Sequence, residues 1–374
     1  MTSITVLPNN DLLVSGDFLS AGGVSAWKIA RWDGVAWHAF GSGPSGGVED
    51  VLVLPGGDMV VGGDFYAFNG VSALGVAYWD GTSWSPLGSG TDQEVSSLAY
   101  LPGVGLIAAG YFSLMDGGSC LNVARWDGAS WSPLSSGFDQ TVAAVAPLTG
   151  GGMVVGGRFT TAPGVDAMHV AKWDGSTWSA VGGGINGPVH AIAEMSTGDL
   201  IVGGLFSSAG GVAARNIARW DGATWHALGP GLGGTSETEF VNAIVVMPNG
   251  DIIAGGTFRQ AGSVVVNFVA RWDGVAWRTM AGGVGSNGRV SCLLGLGGGL
   301  VVAGGLFSVA GGVSANSVAF WNGVSWSAVG SGTDFEVNAL ARTIHEQGEF
   351  REEARAYLRL RSQQEAKATP LECA

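Results

Sequence analysis

The chain has 374 residues, 46% of them apolar and 13% charged, with a formal net charge of −13. Its 66 glycines follow no Gly-X-Y period, and the wealth of Val, Leu, Ile and Trp excludes a collagen-like or disordered chain. The six acids and six bases of 342–374 cancel, so the whole negative excess lies in 1–341; such a body disfavours nucleic acid and anionic membrane as partners, which need Lys and Arg against phosphate.

At the N-terminus, "MTSITVLPNNDLL" offers neither a basic segment nor an apolar core of a signal peptide, so none is expected in the chain as it stands. A mature or trimmed form would look the same, which leaves the compartment open, extracellular space included. No run of about 18 apolar residues is present, and no membrane-inserted helix is expected. Cys120, Cys292 and Cys373 are widely spaced and odd in number, so they form no disulfide framework.

From there a repeat occupies the chain. First tryptophans fall at Trp32, Trp79, Trp126, Trp173, Trp220, Trp272 and Trp321, and each is followed five residues later by a second, accounting for 14 of the 15 tryptophans. Each pair is preceded by small residues and a Phe: Phe18, Phe65, Phe112, Phe159, Phe206, Phe258 and Phe307. The period of about 47 residues lies in the range of propellers and solenoids. Within the sixth copy, "VNAIVVMP", "DIIAGGTF", "FVARW" and "WRTMAG" are four short apolar runs, separated by "PNGD", a loop, and an Asp-Gly hairpin turn. Four antiparallel strands per copy make one propeller blade, so the expected fold is all-β: a seven-bladed β-propeller over 1–341 with an α-helical tail over 342–374.

The run "GGLFSSAGGVAARNIARW", Gly203–Trp220, resembles delta-60-type bacterial repeats, and the diglycine, "ARWDG" and second Trp resemble Kelch-type propellers. The resemblance covers about 1–341. It implies a diglycine closing the second strand and aromatics marking the third and fourth. For function it implies an interaction platform more often than a catalyst.

"MTSITVLP" aligns with Val241–Pro248, yet "VNALA" at 337–341 begins an eighth copy of the same strand. One of the two is expected to pair innermost in blade 1, and the consensus Val and Ala of 337–341 favour the C-terminal segment.

From first-strand Val to first Trp the spacing is always 31 residues; length varies only between the second Trp and the next blade, from 11 to 16 residues. Insertions collect where they disturb no packing. Alternating strand direction puts these connections and the loops between second and third strands on one face, the top, and the Asp-Gly turn on the other. Two top-face rings break the repeat and should border the channel mouth. One is Asp17, Asp64, Tyr111, Arg158, Leu205, Thr257 and Leu306; the other is Glu49, Ser96, Ala143, His190, Asn242, Ser291 and Asn338. They read either as drifted, solvated positions or as a pocket mouth of mixed polarity. In blades 1–4 the top loops also carry Leu19, Trp27, Tyr66, Phe68, Leu74, Leu114, Met115, Leu121 and Met168, where blades 5–7 are mostly small or polar. Either these fold inward or they form a protein-binding arc.

Chemistry is harder to find. The third-strand bases Arg31, Arg125, Lys172, Arg219 and Arg271 read as ion pairs with the neighbouring turn Asp, and they sit away from the axis where a sialidase-like cluster would be needed. His38, His169, His190 and His226 have no metal-ligand spacing, and no P-loop, dinucleotide fingerprint or Ser-His-Asp set stands out, so no metal or cofactor is expected. The acidic loops "TDQE", "TSETE" and "TDFE" are read as solvated turns, with a calcium site as the alternative.

The tail, "RTIHEQGEFREEARAYLRLRSQQEAKATPLECA", changes composition abruptly, and helical spacing predicts an amphipathic helix over Glu349–Ala366. "HEQGEFREEARAYL" is similar to a tetratricopeptide turn. Such a helix would dock on the body, bind a partner or self-associate. The favoured function is a non-enzymatic scaffold with a protein or glycan partner at the top face. The alternatives are a secreted glycan-active enzyme, for which His190, Glu49 and Arg158 would have to cluster, and a structural surface protein of recently amplified blades.

Overall fold

Each 47-residue unit folds where its pattern demands: apolar runs too short for helices, each ended by Gly, Pro or Asp turns. In the computed structural model, which describes residues 5–6, 11–54, 58–234, 238–285 and 288–339, they form seven four-stranded antiparallel sheets. In blade 5, for example, Val189–Glu194 is innermost, followed outward by Leu200–Gly204, Ile217–Trp220 and Trp225–Ala227. The other blades repeat this order, and no helix occurs among the described residues. The tail, 342–374, and the helix expected over Glu349–Ala366 lie outside the described residues.

Blades pack face to face through seven apolar clusters, each drawing on neighbouring copies. The diglycine makes this approach possible. A Cβ on Gly203 would lie 2.5 Å from Cγ1 of Val241 in the next blade, and one on Gly204 would lie 2.1 Å from the Pro188 carbonyl of its own inner strand. The second glycine recurs in every blade and sets the inner pair, while the first position, Ser15 in blade 1 and Ala109 in blade 3, admits only a small residue and sets blade spacing.

The ring is closed from both ends, not by one terminus. Thr5 and Val6 pair with Leu13 and Leu12, while Ala339 and Val337 pair with Ser15 and Gly16. Both segments carry the same repeat position, so each arrives in the same register and they share one slot end to end. Val337 is fully buried there.

The tryptophan corner lies on the outer strands, opposite the top face. The two tryptophans of a blade face each other across the third and fourth strands, as Trp220 and Trp225 do at 5.3 Å between ring centroids. The second Trp also reaches the preceding blade: the indole N–H of Trp277 donates to Leu228 O at 2.8 Å, and those of Trp131, Trp225 and Trp326 do likewise. Between the tryptophans, the turn Asp accepts two backbone N–H groups, as Asp127 does from Ala129 and Ser130 at 2.9 Å each. This Asx turn fixes the hairpin. In Asp33 the Ala36 amide, then His38, holds the carboxyl down at about 2.

The expected pairing of third-strand bases with the turn Asp is not what forms. Arg31, Arg219 and Arg271 pair instead with Asp11, Asp199 and Asp251, which precede the second strand. Cross-strand neighbours on a pleated sheet meet side by side, whereas the turn Asp is already occupied by its own backbone. Its side-chain partners on the fourth strand, where present, are His38, His226 and Arg278.

Candidate functional site at the top face

The ten-residue loops between second and third strands are not irregular. Each carries a two-stranded ribbon, such as Ser208–Ala209 with Val212–Ala213, and six of the seven are bridged to the preceding inter-blade segment, as Ala209 is to Ile185. A side-chain clasp holds this second layer. Asp92 Oδ1 accepts the N–H groups of Ser113 and Leu114 at 2.9 Å; Asp139, Asn186, Asp334 and Ser45 act the same way on the next blade. Burial raises the Asp92 pKa, but the Ser113 hydroxyl and these amides outweigh it and leave the carboxyl below its usual range. The carboxylates of "TDQE" and "TDFE" that resembled a calcium loop, Asp92 and Asp334, are therefore clasps. Among the described residues no group of three His, Cys, Asp or Glu is placed to hold a metal.

The mouth is built by β-bulges. In six blades the register of the inner strand slips by one residue between its Val and the second residue after it, and the strand in 337–339 does the same against blade 1. The extra residue is Glu49, Ser96, Ala143, His190, Asn242, Ser291 or Asn338, so one whole predicted ring is a ring of bulges. A bulge leaves its residue out of the ladder and re-aims the side chain. What these side chains touch lies around the rim. Asn242 donates to Val290 O of the next blade at 3.1 Å, and Asn338 donates to Asp17 Oδ2 at 3.3 Å.

Charge is divided around the mouth. On blades 7, 1, 2 and 3 it is acidic. Glu336, 3% exposed, accepts from Arg289 and from the Ser291 hydroxyl at 2.6 Å each; Glu94 accepts from Ser96 at 2.7 Å; exposed Asp17 pairs with Lys28 at 3.3 Å. Burial, reinforced by Glu94, Asp17 and Glu336, pushes the Glu49 carboxyl up to about 7. Within the two predicted rings the acids are Asp17, Asp64 and Glu49, all on blades 1 and 2, and Glu94 and Glu336 flank them. On blades 4–6 His190 is edge-on to Phe240 at 5.3 Å, and burial followed by Arg158 drives its pKa down to about 4. His190 and Arg158 thus share one arc, while Glu49 belongs to the other; the trio a catalytic mouth would need is split. Tyr111 and Asp64 of the predicted ring are exposed, and Leu205, Thr257 and Leu306 are half-buried.

The apolar residues separate by burial. Phe68 and Met115 are interior, 0% and 3% exposed, and belong to no surface: Phe68 packs on Trp84 at 4.0 Å. They alternate with ribbon neighbours that face out, a period-two distinction a loop reading cannot make. Leu19, Trp27, Tyr66, Leu74, Leu114, Leu121 and Met168 are exposed, Trp27 at 53% and Tyr66 at 69%. Trp27 is the one tryptophan outside the seven pairs. Phe335, 52% exposed beside the Asp334 clasp, carries the arc to the junction of blades 7 and 1. Sequence reasoning missed it, although Gly or a polar residue stands at the equivalent places in the other blades.

The chain matches no protein-family model and no curated protein sequence. Solved structures share its fold. The extracellular domain of a hybrid two-component system, BT3049, from B. thetaiotaomicron is similar with a TM-score of 0.53 at 13% identity, over 86% of this chain and 38% of that one. The extracellular domain of another such system from the same organism, BT4673, gives 0.52 at 11% identity, over 76% of this chain and 33% of that one. This chain therefore spans little more than a third of those structures. At such identities the likeness establishes the fold alone: an all-β, seven-bladed propeller of four-stranded antiparallel blades.

Proposed function

We propose that this chain is a non-enzymatic interaction scaffold that holds a protein partner against the top face of blades 1–4. The observation that carries the reading is the arc of large apolar side chains left in solvent there: Leu19, Trp27, Tyr66, Leu74, Leu114, Leu121 and Met168, each more than 40% exposed. Clustered exposed aromatic and aliphatic side chains are what a protein partner buries, with Trp and Tyr among the strongest anchors. The acids of the adjoining mouth, Asp17, Asp64 and Glu94, favour a partner whose apolar surface is edged by basic side chains, because complementary charge guides and registers the encounter. The mouth groups also bind one another, as Glu336 does with Arg289 and Ser291, instead of converging on one point where a substrate would react. That favours binding over the glycan-active alternative. The diglycine–Phe–"ARWDG" pattern supports kinship with Kelch-type and delta-60-type repeats, and 342–374 is read as a separate tail.

The test compares three immobilised forms of the whole chain: wild type, the double variant Trp27→Ser with Tyr66→Ser, and Arg215→Ser, which alters the position of Trp27 in blade 5. A partner retained by wild type and Arg215→Ser but lost by the double variant supports the reading. Equal retention by all three removes it.

A further inference from the structure

We propose that the outer rim between blades 1 and 2 carries a second binding site, a groove for a neutral saccharide. The groove has a volume of about 700 Å³ and is bordered by the outer strands of both blades, within the size range of small-ligand pockets. It shares no residue with the channel mouth or with the exposed arc.

Its floor is aromatic. Phe40 stands three residues after the second Trp of blade 1, where the other blades have Leu87, Leu134, Val181, Leu228, Met280 and Val329. It meets Trp79 edge to face at 5.6 Å, with ring planes at 87°, and Trp84 at 6.3 Å. Phe40, Trp79 and Trp84 line the groove, and aromatic rings are the side chains on which the weakly positive C–H groups of a sugar ring pack.

One donor lacks its acceptor. The equivalent indole N–H groups of Trp131, Trp225, Trp277 and Trp326 each donate to the end of the preceding blade's outer strand, at 2.8 to 3.1 Å. Trp84 is 6% exposed, and its Nε1 has no partner. The strand end that would supply one, Phe40–Gly41, lines the groove together with Trp84. Trp37 and Trp178 share the deficit, but only Trp84 borders this groove. A buried N–H without an acceptor is costly, so the staple that ties this blade to its predecessor elsewhere is open at the corner bordering the groove.

The rim is polar without net charge. Arg31 is held by Asp11, and the His38 ring is hydrogen-bonded to Asp33 at 2.6 Å, so neither side chain is left for an anionic ligand. The Thr82 and Ser83 hydroxyls donate to Asp80 at 2.8 and 3.0 Å and keep lone pairs to accept with, while Asn69, whose Oδ1 accepts from Gly43, keeps its amide N–H groups to donate. An aromatic corner rimmed by amide and hydroxyl groups, with no free cation among the described residues that line it and with Asp80 behind the hydroxyls, matches a neutral polyol ring and disfavours phosphates and carboxylates.

The experiment is a titration of the intact chain, its tryptophan indoles labelled with nitrogen-15, with cellobiose, with N,N′-diacetylchitobiose and with sialyllactose. The expected result is that a neutral disaccharide moves the Trp79 and Trp84 indole signals and leaves that of Trp27 in place. Val71→Arg, placed at the 40% exposed lip of the groove, should weaken binding about tenfold or more while the remaining indole signals show the fold intact. The proposal is overturned if neither neutral disaccharide moves those signals, if Val71→Arg binds as well as wild type, or if sialyllactose binds best. Because Trp27 reports on the top face in the same spectra, failure here is separate from failure of the protein-binding reading.

Discussion

The tryptophan corner at the outer rim and the bulge at the channel mouth both recur in every blade, yet the corner keeps its side chains and the bulge does not. The corner's partners are backbone: its Asp accepts two amides of its own turn, and in four blades the second Trp donates to a carbonyl of the preceding blade. Backbone is the same in every copy, so the residue type stays the same. The bulge side chain meets only its neighbours around the rim and solvent. Glu, Ser, Ala, His and Asn all fit there without altering the ladder, and the mouth is free to become acidic on one side and aromatic on the other.

That contrast can be broken at several points. Removing a corner ring should cost most: Trp277→Ala takes away a 3% exposed indole and its hydrogen bond to Leu228, with an expected loss of about 3–5 kcal/mol in urea denaturation. A loss comparable to that of a surface substitution would mean the corner does not staple the blades. At the seam, Val337→Ala should cost about 1–3 kcal/mol, since this fully buried side chain helps close blade 1. No loss of stability would show that the N-terminal strand suffices.

The mouth offers a pH test. Glu49 sits at about 7 in the folded state against 4.5 for an ordinary Glu, so the native chain holds this proton more tightly than the unfolded one. Stability contributed by Glu49 is therefore present below about pH 4.5 and lost as pH rises to about 7. Glu49→Gln should gain on wild type between pH 5 and pH 8 in parallel urea titrations, and a constant difference would place the carboxyl in water. The smallest effect is expected at the turn: Asp127→Asn should leave the denaturation midpoint nearly unchanged and Asp127→Ala should lower it. Blade 7 already uses Asn322, which accepts from Val324 and Ser325 at 2.9 and 2.8 Å.

Blade number, strand order and the placing of the corner were legible because the spacing of the Trp pair, the Phe and the small residues before it is strict. The ring of Glu49, His190 and Asn242 was found for a different reason: it stood out as variation inside a fixed spacing. What escaped was a matter of direction. "AFNGVS", read as loop, is a ribbon that buries Phe68 and exposes Val71. Arg31 was assigned to the Asp nearest in sequence, although Asp11, 20 residues away, is its neighbour across the sheet. Phe335 offered only a deviation of one residue in one copy.

The sequence by itself determined the period, the four strands per blade and the closed ring, because short-range hydrophobic alternation and turn chemistry act within a few residues and are repeated seven times. Only the tertiary structure decided which top-face side chains are buried, how both termini share one strand slot, and which Asp a third-strand base meets. Those outcomes depend on contacts across a sheet, between copies about 47 residues apart or at opposite ends of the chain, and a linear pattern does not encode which of two equivalent partners lies nearer in space.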